Sequence, residues 1–398
     1  MEQTKASPPS IGFVSTYPPT ACGLATFTDA LRRNMAASRG SDQGLAVVSL
    51  VEEQMATPRP EVEYQHLNGD DASLKQAVTT LNRHDVVVIQ HEYGVFGGPD
   101  GEEILALLAG LESPTIVTLH TVLSNPTPRQ KEILERIVAL AGRSIVMSYT
   151  ALRRLTDKYQ VDPHKVQMVP HGAVASLAGP TLTRAARPLV MTWGLIGPGK
   201  GLETAIEAFA TLRDVQPLPR YLILGRTHPK VQAAHGDAYL DRLKGKVRDL
   251  GLDEVVEFDG RYLDTETLVS LIRRADIALL PYQSTEQVTS GVLVEAIAAG
   301  KPVVATDFPH AVEMLGTGAG ALVPNSDSEA MAKALRDLLT KPGVAVRMAQ
   351  VARSIGVTLH WPMVAQQYES IASTLCERPV GVASLPARRS PDDLARVG

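Results

Sequence analysis

The chain has 398 residues, of which 44% are hydrophobic and 21% charged, with a formal net charge of -4. That length exceeds one ordinary core and predicts two domains, and mixed charge near neutrality gives no electrostatic case for a nucleic-acid partner. With Cys22 and Cys376 as the only cysteines, neither a disulfide framework nor a thiolate metal site is expected.

The first residues, "MEQTKASPPS", lack the basic and apolar regions of a leader. No segment reaches the roughly 18 apolar residues that a spanning helix needs, so a reducing cytoplasm is the simplest compartment. Short runs rich in branched apolar residues then follow: "SIGFVSTY" (10–17), "GLAVVSLV" (44–51), "DVVVIQHE" (85–92), "PTIVTLHT" (114–121), "SIVMSYT" (144–150) and "VQMVPHG" (166–172). Separated by amphipathic or loop segments, they read as parallel strands buried on both faces. The rhythm pauses at residues 173–188, "AVASLAGPTLTRAARP", a proline-punctuated linker. It restarts with "PLVMTWGLI", "RYLILGR", "EVVEFDG", "DIALLPY", "KPVVATD" and "AGALVP". Two successive βα arrays predict two doubly wound α/β domains, at 10–178 and 187–357. Residues 360–375 place Trp361, Val364, Tyr368 and Ile371 on one helical stripe that needs an apolar surface to cover. The Pro-, Arg- and Ser-rich end, 377–398, predicts a disordered tail.

Open α/β sheets bind ligands beyond the carboxyl ends of their strands, so the informative loops follow each strand. In the first half these are "PPTACGLATFTDAL", "QHEYGVFGG" and "LHTVLSNPTP". Gly23 permits close approach ahead of a helix from about Thr26, and His91, Glu92, Tyr93 and His120 add polar and aromatic surface. In the second half, "GLIGPGKGLETAIEAF" runs from strand through Gly197, Gly199 and Gly201 into a helix, with Lys200 among the glycines. It is neither the phosphate loop of the NTPases nor a dinucleotide fingerprint. Taken alone, the string is equally well a plain strand-to-helix turn. In "PYQSTEQVTSGVLVEAIAAGKPVVATD", residues Thr289, Ser290 and Gly291 open a helix, placing the N–H groups of Ser290, Gly291 and Val292 at its positive end. Glu295, one turn in, is placed to accept from a ribose diol. No metal site is expected. Arg32 with Arg33, and Arg153 with Arg154, read as solvated faces and leave peripheral contact with anionic lipid open.

From about residue 10 to 375 the chain resembles the retaining glycosyltransferases of family 4, whose GT-B fold is two facing Rossmann-like domains. The resemblance rests on "PYQSTEQVTSGVLVEAIAAGKPVVAT", on Lys200 in "GKGLETAIEAF", on "VPHGA" around His171, and on the two N-terminal loops. It implies that a C-terminal helix, 358–376, returns to the first domain. It implies transfer of a hexose from a GDP- or UDP-linked donor to a hydroxyl of a saccharide or lipid-linked acceptor, with retention. His120, Lys200 and Gln287 are the catalytic candidates. Gly23, Gly197, Gly199, Arg226, Tyr262, Glu286, Thr289, Ser290, Gly291, Val292 and Glu295 are the donor-side candidates. His91, Glu92, Tyr93 and Phe96 are the acceptor-side ones. No cofactor is implied, beyond a magnesium ion arriving with the donor diphosphate. The sequence departs from the family in two places. Gln287 stands where the first Glu of its paired motif belongs, and the Arg shortly before the lysine is absent, leaving Arg226, or more weakly Arg261, to replace it. Two readings of other classes stay open: an inactive nucleotide- or sugar-binding protein of the same fold, and a dinucleotide-dependent oxidoreductase, for which the glycine fingerprint is missing.

Overall fold

The computed structural model describes residues 8–174, 186–261 and 263–377. Most of the predicted linker, Tyr262 and the predicted tail from 378 lie outside the described residues. The first domain runs β1 (Ile11–Ser15), α1 (Gly23–Arg39), β2 (Leu45–Val51), β3 (Val62–Leu67), α2 (Asp71–Leu81), β4 (Val86–His91), α3 (Glu103–Gly110), β5 (Thr115–Leu119), α4 (Pro128–Leu140), β6 (Arg143–Val146), α5 (Tyr149–Lys158) and β7 (Val166–Met168). The second runs β8 (Leu189–Trp193), α6 (Leu202–Ala210), β9 (Arg220–Leu224), α7 (Pro229–His235), α8 (Ala238–Asp249), β10 (Val256–Asp259), α9 (Thr265–Arg274), β11 (Ile277–Leu280), α10 (Gly291–Ala298), β12 (Val303–Thr306), α11 (Pro309–Leu315), β13 (Gly320–Val323), α12 (Ser328–Thr340) and α13 (Pro342–Gly356). Helix α14 (Trp361–Glu377) ends the described chain.

Every strand pair in both sheets is parallel. The first sheet is ordered β3-β2-β1-β4-β5-β6-β7 and the second β10-β9-β8-β11-β12-β13. The winding direction therefore reverses between β1 and β4, and between β8 and β11. Crevices form at those reversals, and the glycine loop after β8 and the loop after β11 flank the second one. Strand β3 carries no apolar run. It is an edge strand whose Glu63 is exposed and whose His66 is buried, and its polar alternation hides it from a search for fully buried strands. Helix α1 starts at Gly23, three residues before the predicted point, because Cys22 Sγ accepts the N–H of Ala25 and caps it.

Helix α14 lies on the first domain. Trp361, Val364, Ala365, Tyr368, Ile371, Ala372 and Leu375 are buried in one cluster with Ile11 and Phe13 of β1 and Phe27, Leu31 and Met35 of α1. The Tyr368 hydroxyl meets Thr118 Oγ1 at 2.9 Å, and Glu369 pairs with Arg39 at 2.7 Å. At the crossing, Ala173 N–H donates to Leu359 O and Trp361 N–H to Ala173 O, so the outgoing and returning segments are bonded side by side.

The paired arginines do not form outward basic patches. Arg32 is buried, donating to the Tyr17 hydroxyl and lying 3.6 Å from Glu61, and Arg154 is engaged between the domains. Each is held inward by a carboxylate that satisfies its charge.

Candidate nucleotide-sugar site

The glycine loop owes its shape to backbone that other residues rarely adopt. Gly194, Gly199 and Gly201 have φ of 113°, 83° and 65°. At Gly201 a Cβ would overlap the Pro281 carbonyl oxygen, so the glycine loop and the loop after β11 lie backbone to backbone. Gln283 N–H joins them through Gly199 O at 2.9 Å. Lys200 leaves this loop with its ammonium 4.3 Å from the centre of the Tyr282 ring. Burial lowers its pKa, and among the described residues it has no carboxylate partner. A desolvated cation held by an aromatic face but not neutralised is a ready partner for an anion.

Helix α10 points its N-terminus at the same crevice. Ser290 caps it by accepting Leu293 N–H. Contrary to expectation, the Ser290 N–H is not available, since it donates to His310 Nδ1 at 2.9 Å. Gly291 and Val292, both half-buried, remain as the first-turn donors. Thr289 Oγ1 is buried without a partner. Glu295, half-buried, accepts from Trp193 Nε1 at 2.6 Å, and burial raises its pKa against that bond. Arg226 is exposed, and its carbonyl accepts Ile196 N–H, which sets the residue beside the glycine loop. Arg261 is instead folded onto Asp259 at 2.6 Å, which removes it as a replacement cation. Sequence reasoning missed Lys230. On α7, its Nζ lies 3.2 Å from where a Gly94 Cβ would stand, so it bridges the second domain to the loop after β4. The string "GRTHPK" held the signal, a lysine shortly after Arg226.

On the first domain, Phe27 is the hub. His120, His171 and Trp361 each meet its ring edge-on at 5.1, 5.0 and 5.0 Å. His120 Nε2 lies 2.8 Å from Gln90 Oε1, and that bond fixes the orientation of its ring. His171 Nδ1 donates to Gly172 O, and its Nε2 lies 3.0 Å from where a Gly291 Cβ would stand, facing the α10 terminus. Phe27 and His171 were not among the sequence candidates, because only the fold brings α1, the interdomain crossing and α14 together. Gly23 is exposed with open space around it.

Three expectations need correction. His91 is fully buried at the end of β4, with its ring against Tyr93, and cannot touch an acceptor. Phe96 is only 5% exposed and belongs to the first domain's core with Ile104 and Leu107, because the loop after β4 folds back over α3. Glu286 does not face the donor. Its carboxylate accepts from Ser124 N–H and Oγ–H and from Arg154, all on the first domain. Glu92 accepts from Thr121 Oγ1 at 2.6 Å and Tyr93 N–H at 3.0 Å, and burial raises its pKa. Tyr93 donates its hydroxyl to Gln130 O. Gln287 is half-buried, its carbonyl accepting His310 N–H.

Burial holds the site's histidines neutral: His91 and His120 at about 3, and His171 and His310 at about 4, against an ordinary 6.5. Below 6.5 the unfolded chain binds protons that the folded one refuses, so stability must fall as pH drops towards 4. Thermal melting should therefore decline steadily between roughly pH 7 and 5, with net proton uptake on unfolding. A flat profile would mean that these rings are open to protonation in the native state.

Two facing parallel domains with a desolvated lysine, a glycine loop and a helix terminus in their crevice define the GT-B class. Residues 180–355, spanning the second domain, match the model of glycosyl transferases group 1. Beyond that match, the chain is similar to glycosyltransferases over most of its length. It is 32% identical over 253 residues to a D-inositol 3-phosphate glycosyltransferase of Kineococcus radiotolerans, covering 58% of this chain and 56% of that protein. It is 29% identical over 284 residues to a phosphatidyl-myo-inositol mannosyltransferase of Mycolicibacterium smegmatis, covering 68% of each. Across the D-inositol 3-phosphate glycosyltransferases of Acidothermus cellulolyticus, Kineococcus radiotolerans and Nocardia farcinica, the match spans 56 to 66% of the relative's length. In fold it is similar to Anabaena HepE in complex with UDP and glucose, with TM-score 0.69, 18% identity and coverage of 92% of this chain and 99% of that one. A glycosyltransferase from Rickettsia africae has TM-score 0.72 at 14% identity, covering 93% and 99%. No helix among the described residues is long and apolar enough to cross a membrane.

Proposed function

We propose that this protein is a retaining glycosyltransferase that moves a hexose from a GDP- or UDP-linked donor to a hydroxyl of a saccharide or lipid-linked acceptor. The observation that carries the reading is Lys200, half-buried, unneutralised and fixed over Tyr282 beside the glycine loop. The names of the relatives, and a structural neighbour holding UDP and glucose, support a sugar-nucleotide donor.

In this reading the donor diphosphate lies along the glycine loop. Lys200, the free amides of Gly291 and Val292, and Arg226 stabilise the charge that grows as the C1–O bond breaks. Lys230, on α7 of the same domain, adds a second cation at the crevice. Glu92 and Glu286 are both committed to other donors, so neither is placed as an enzymic nucleophile of the two-carboxylate scheme. Substitution therefore occurs on one face of the sugar. The acceptor oxygen bonds to C1 as the diphosphate leaves, and the acceptor's proton passes to a phosphate oxygen. His120, neutral and fixed by Gln90, lines the sugar pocket with Phe27. The reading calls for no protein-held cofactor, and magnesium would enter with the donor.

Gln287 in place of an acid, with Glu286 turned away, favours a second reading: a binder that has lost turnover. Calorimetric titration with UDP, GDP and ADP, followed by a donor-consumption assay, separates the two. Binding of one nucleotide with measurable turnover is the expected result. Binding without turnover would favour the second reading, and no binding would overturn both.

A further inference from the structure

The second domain meets the first along α5. Glu313, on α11, accepts the N–H groups of Tyr149 and Thr150 at 2.9 and 2.7 Å, so a carboxylate from one domain occupies the positive end of a helix in the other. One and a half turns along α5, Arg154 Nη1 donates to Val122 O at 2.8 Å, Glu286 O at 3.2 Å and Glu286 Oε2 at 2.9 Å. Its side chain is 11% exposed. The same Glu286 carboxylate accepts the N–H of Ser124 at 2.7 Å together with its hydroxyl. Lys158 Nζ and the Tyr159 hydroxyl hold Ser124 O and Leu123 O from below.

These bonds join the two loops that matter most. Residues 120–124 begin with His120, and residues 281–290 carry Gln287, Thr289 and Ser290. Two residues beyond Glu286, Val288 is 1% exposed and packs within the first domain's core cluster, although it belongs to the second domain. Glu286 and Val288 thus anchor alternate positions of one loop in the opposite domain. Gln287, between the two anchors, and Thr289, directly after the second, take their positions from them.

We propose that Arg154 and Glu286 are a positioning pair that fixes the His120 loop against the donor loop, so that domain closure itself sets the spacing between the sugar pocket and the diphosphate site. Neither residue touches the donor in this account. The inference rests on the functional reading for its kinetic consequence but not for its structural one. A misplacement of about 1 Å at reacting groups can cost about a hundredfold in rate, so a tie of this kind acts on turnover rather than on donor affinity.

The test uses the full chain with Arg154→Ala, Glu286→Ala and the double variant, plus Glu286→Ala with Glu313→Ala. Small-angle scattering without nucleotide should show a larger radius of gyration for the Glu286/Glu313 double variant than for the natural chain, with cooperative melting retained. Turnover should fall about tenfold or more in each of the Arg154 and Glu286 single variants, while UDP or GDP affinity stays within about threefold. Because the two residues act as a unit, the Arg154/Glu286 double variant should be no worse than the poorer single one. Scattering identical to the natural chain, or strictly additive losses, would overturn the proposal. If neither UDP nor GDP binds, the functional reading fails, and the scattering comparison decides the tie by itself. Should Arg154→Ala fail to fold, Arg154→Gln and Glu286→Gln carry the same comparison.

Discussion

Lys200→Ala is expected to lower turnover by about 100- to 1,000-fold, the usual consequence of removing one well-placed group that stabilises charge in the transition state. The loss should be large because the ammonium sits in a partly desolvated crevice, where electrostatic interactions are screened less than in water. Stability should suffer less. The contact over Tyr282 contributes about 1 kcal/mol, which for a domain of this size lowers Tm by about 2–4 °C. Nucleotide affinity should weaken as well, since in the proposed mechanism Lys200 meets the diphosphate before and after the bond breaks. The comparison requires Tm, UDP and GDP affinity and turnover on the same preparation. Turnover within threefold of the natural chain would remove Lys200 from the mechanism.

The second large effect concerns folding. Gly201→Ala should destabilise the second domain by at least about 3 kcal/mol, combining the strain of a left-handed φ with a forced separation of two backbones. The new methyl group would occupy the space of the Pro281 carbonyl oxygen, and backbone cannot move aside as the end of a flexible side chain can. Gly199→Ala is the matched control. Its φ of 83° is also left-handed, but nothing lies within 4 Å of the added atom. It should cost about 1–2 kcal/mol. Urea unfolding of the two variants gives the difference directly. Equal losses would mean that strain at φ dominates and that the contact with Pro281 is unimportant.

Those two glycines also show what the sequence made legible. Strand, glycine turn and helix are local events, and "LIGPGKGLETAIEAF" announces all three through its apolar run, its turn residues and its period. The stripe of α14 was equally plain, because an amphipathic pattern records that a partner surface exists. What the sequence could not convey was which of two neighbouring polar residues faces which domain. Glu286 and Gln287 look interchangeable in the string, yet one faces Arg154, 132 positions earlier. His91 failed for a related reason: a strand-end residue alternates between core and crevice with each position, and a shift of one decides between them. Phe96 lies in the loop beyond β4, and only the fold shows that this loop turns back onto α3. Ser290 was correctly placed at a helix start, but its amide partner His310 comes from another helix altogether. Phe27 carries no motif, and only the meeting of α1, the interdomain crossing and α14 gives it a role.

The return of α14 to the first domain also governs how such chains can recombine. The first domain is discontinuous in sequence, since seven buried residues of its outer layer come from beyond the second. A genetic crossover anywhere between residues 174 and 357 that exchanged the second domain for a relative's would import a foreign α14 along with it. That helix would then have to fit Phe13, Phe27, Leu31 and Met35 without having evolved beside them. Chimeras that keep the native segment from Trp361 onward should fold where simple two-piece exchanges fail, so inheritance of the donor domain is tied to the surface of its neighbour.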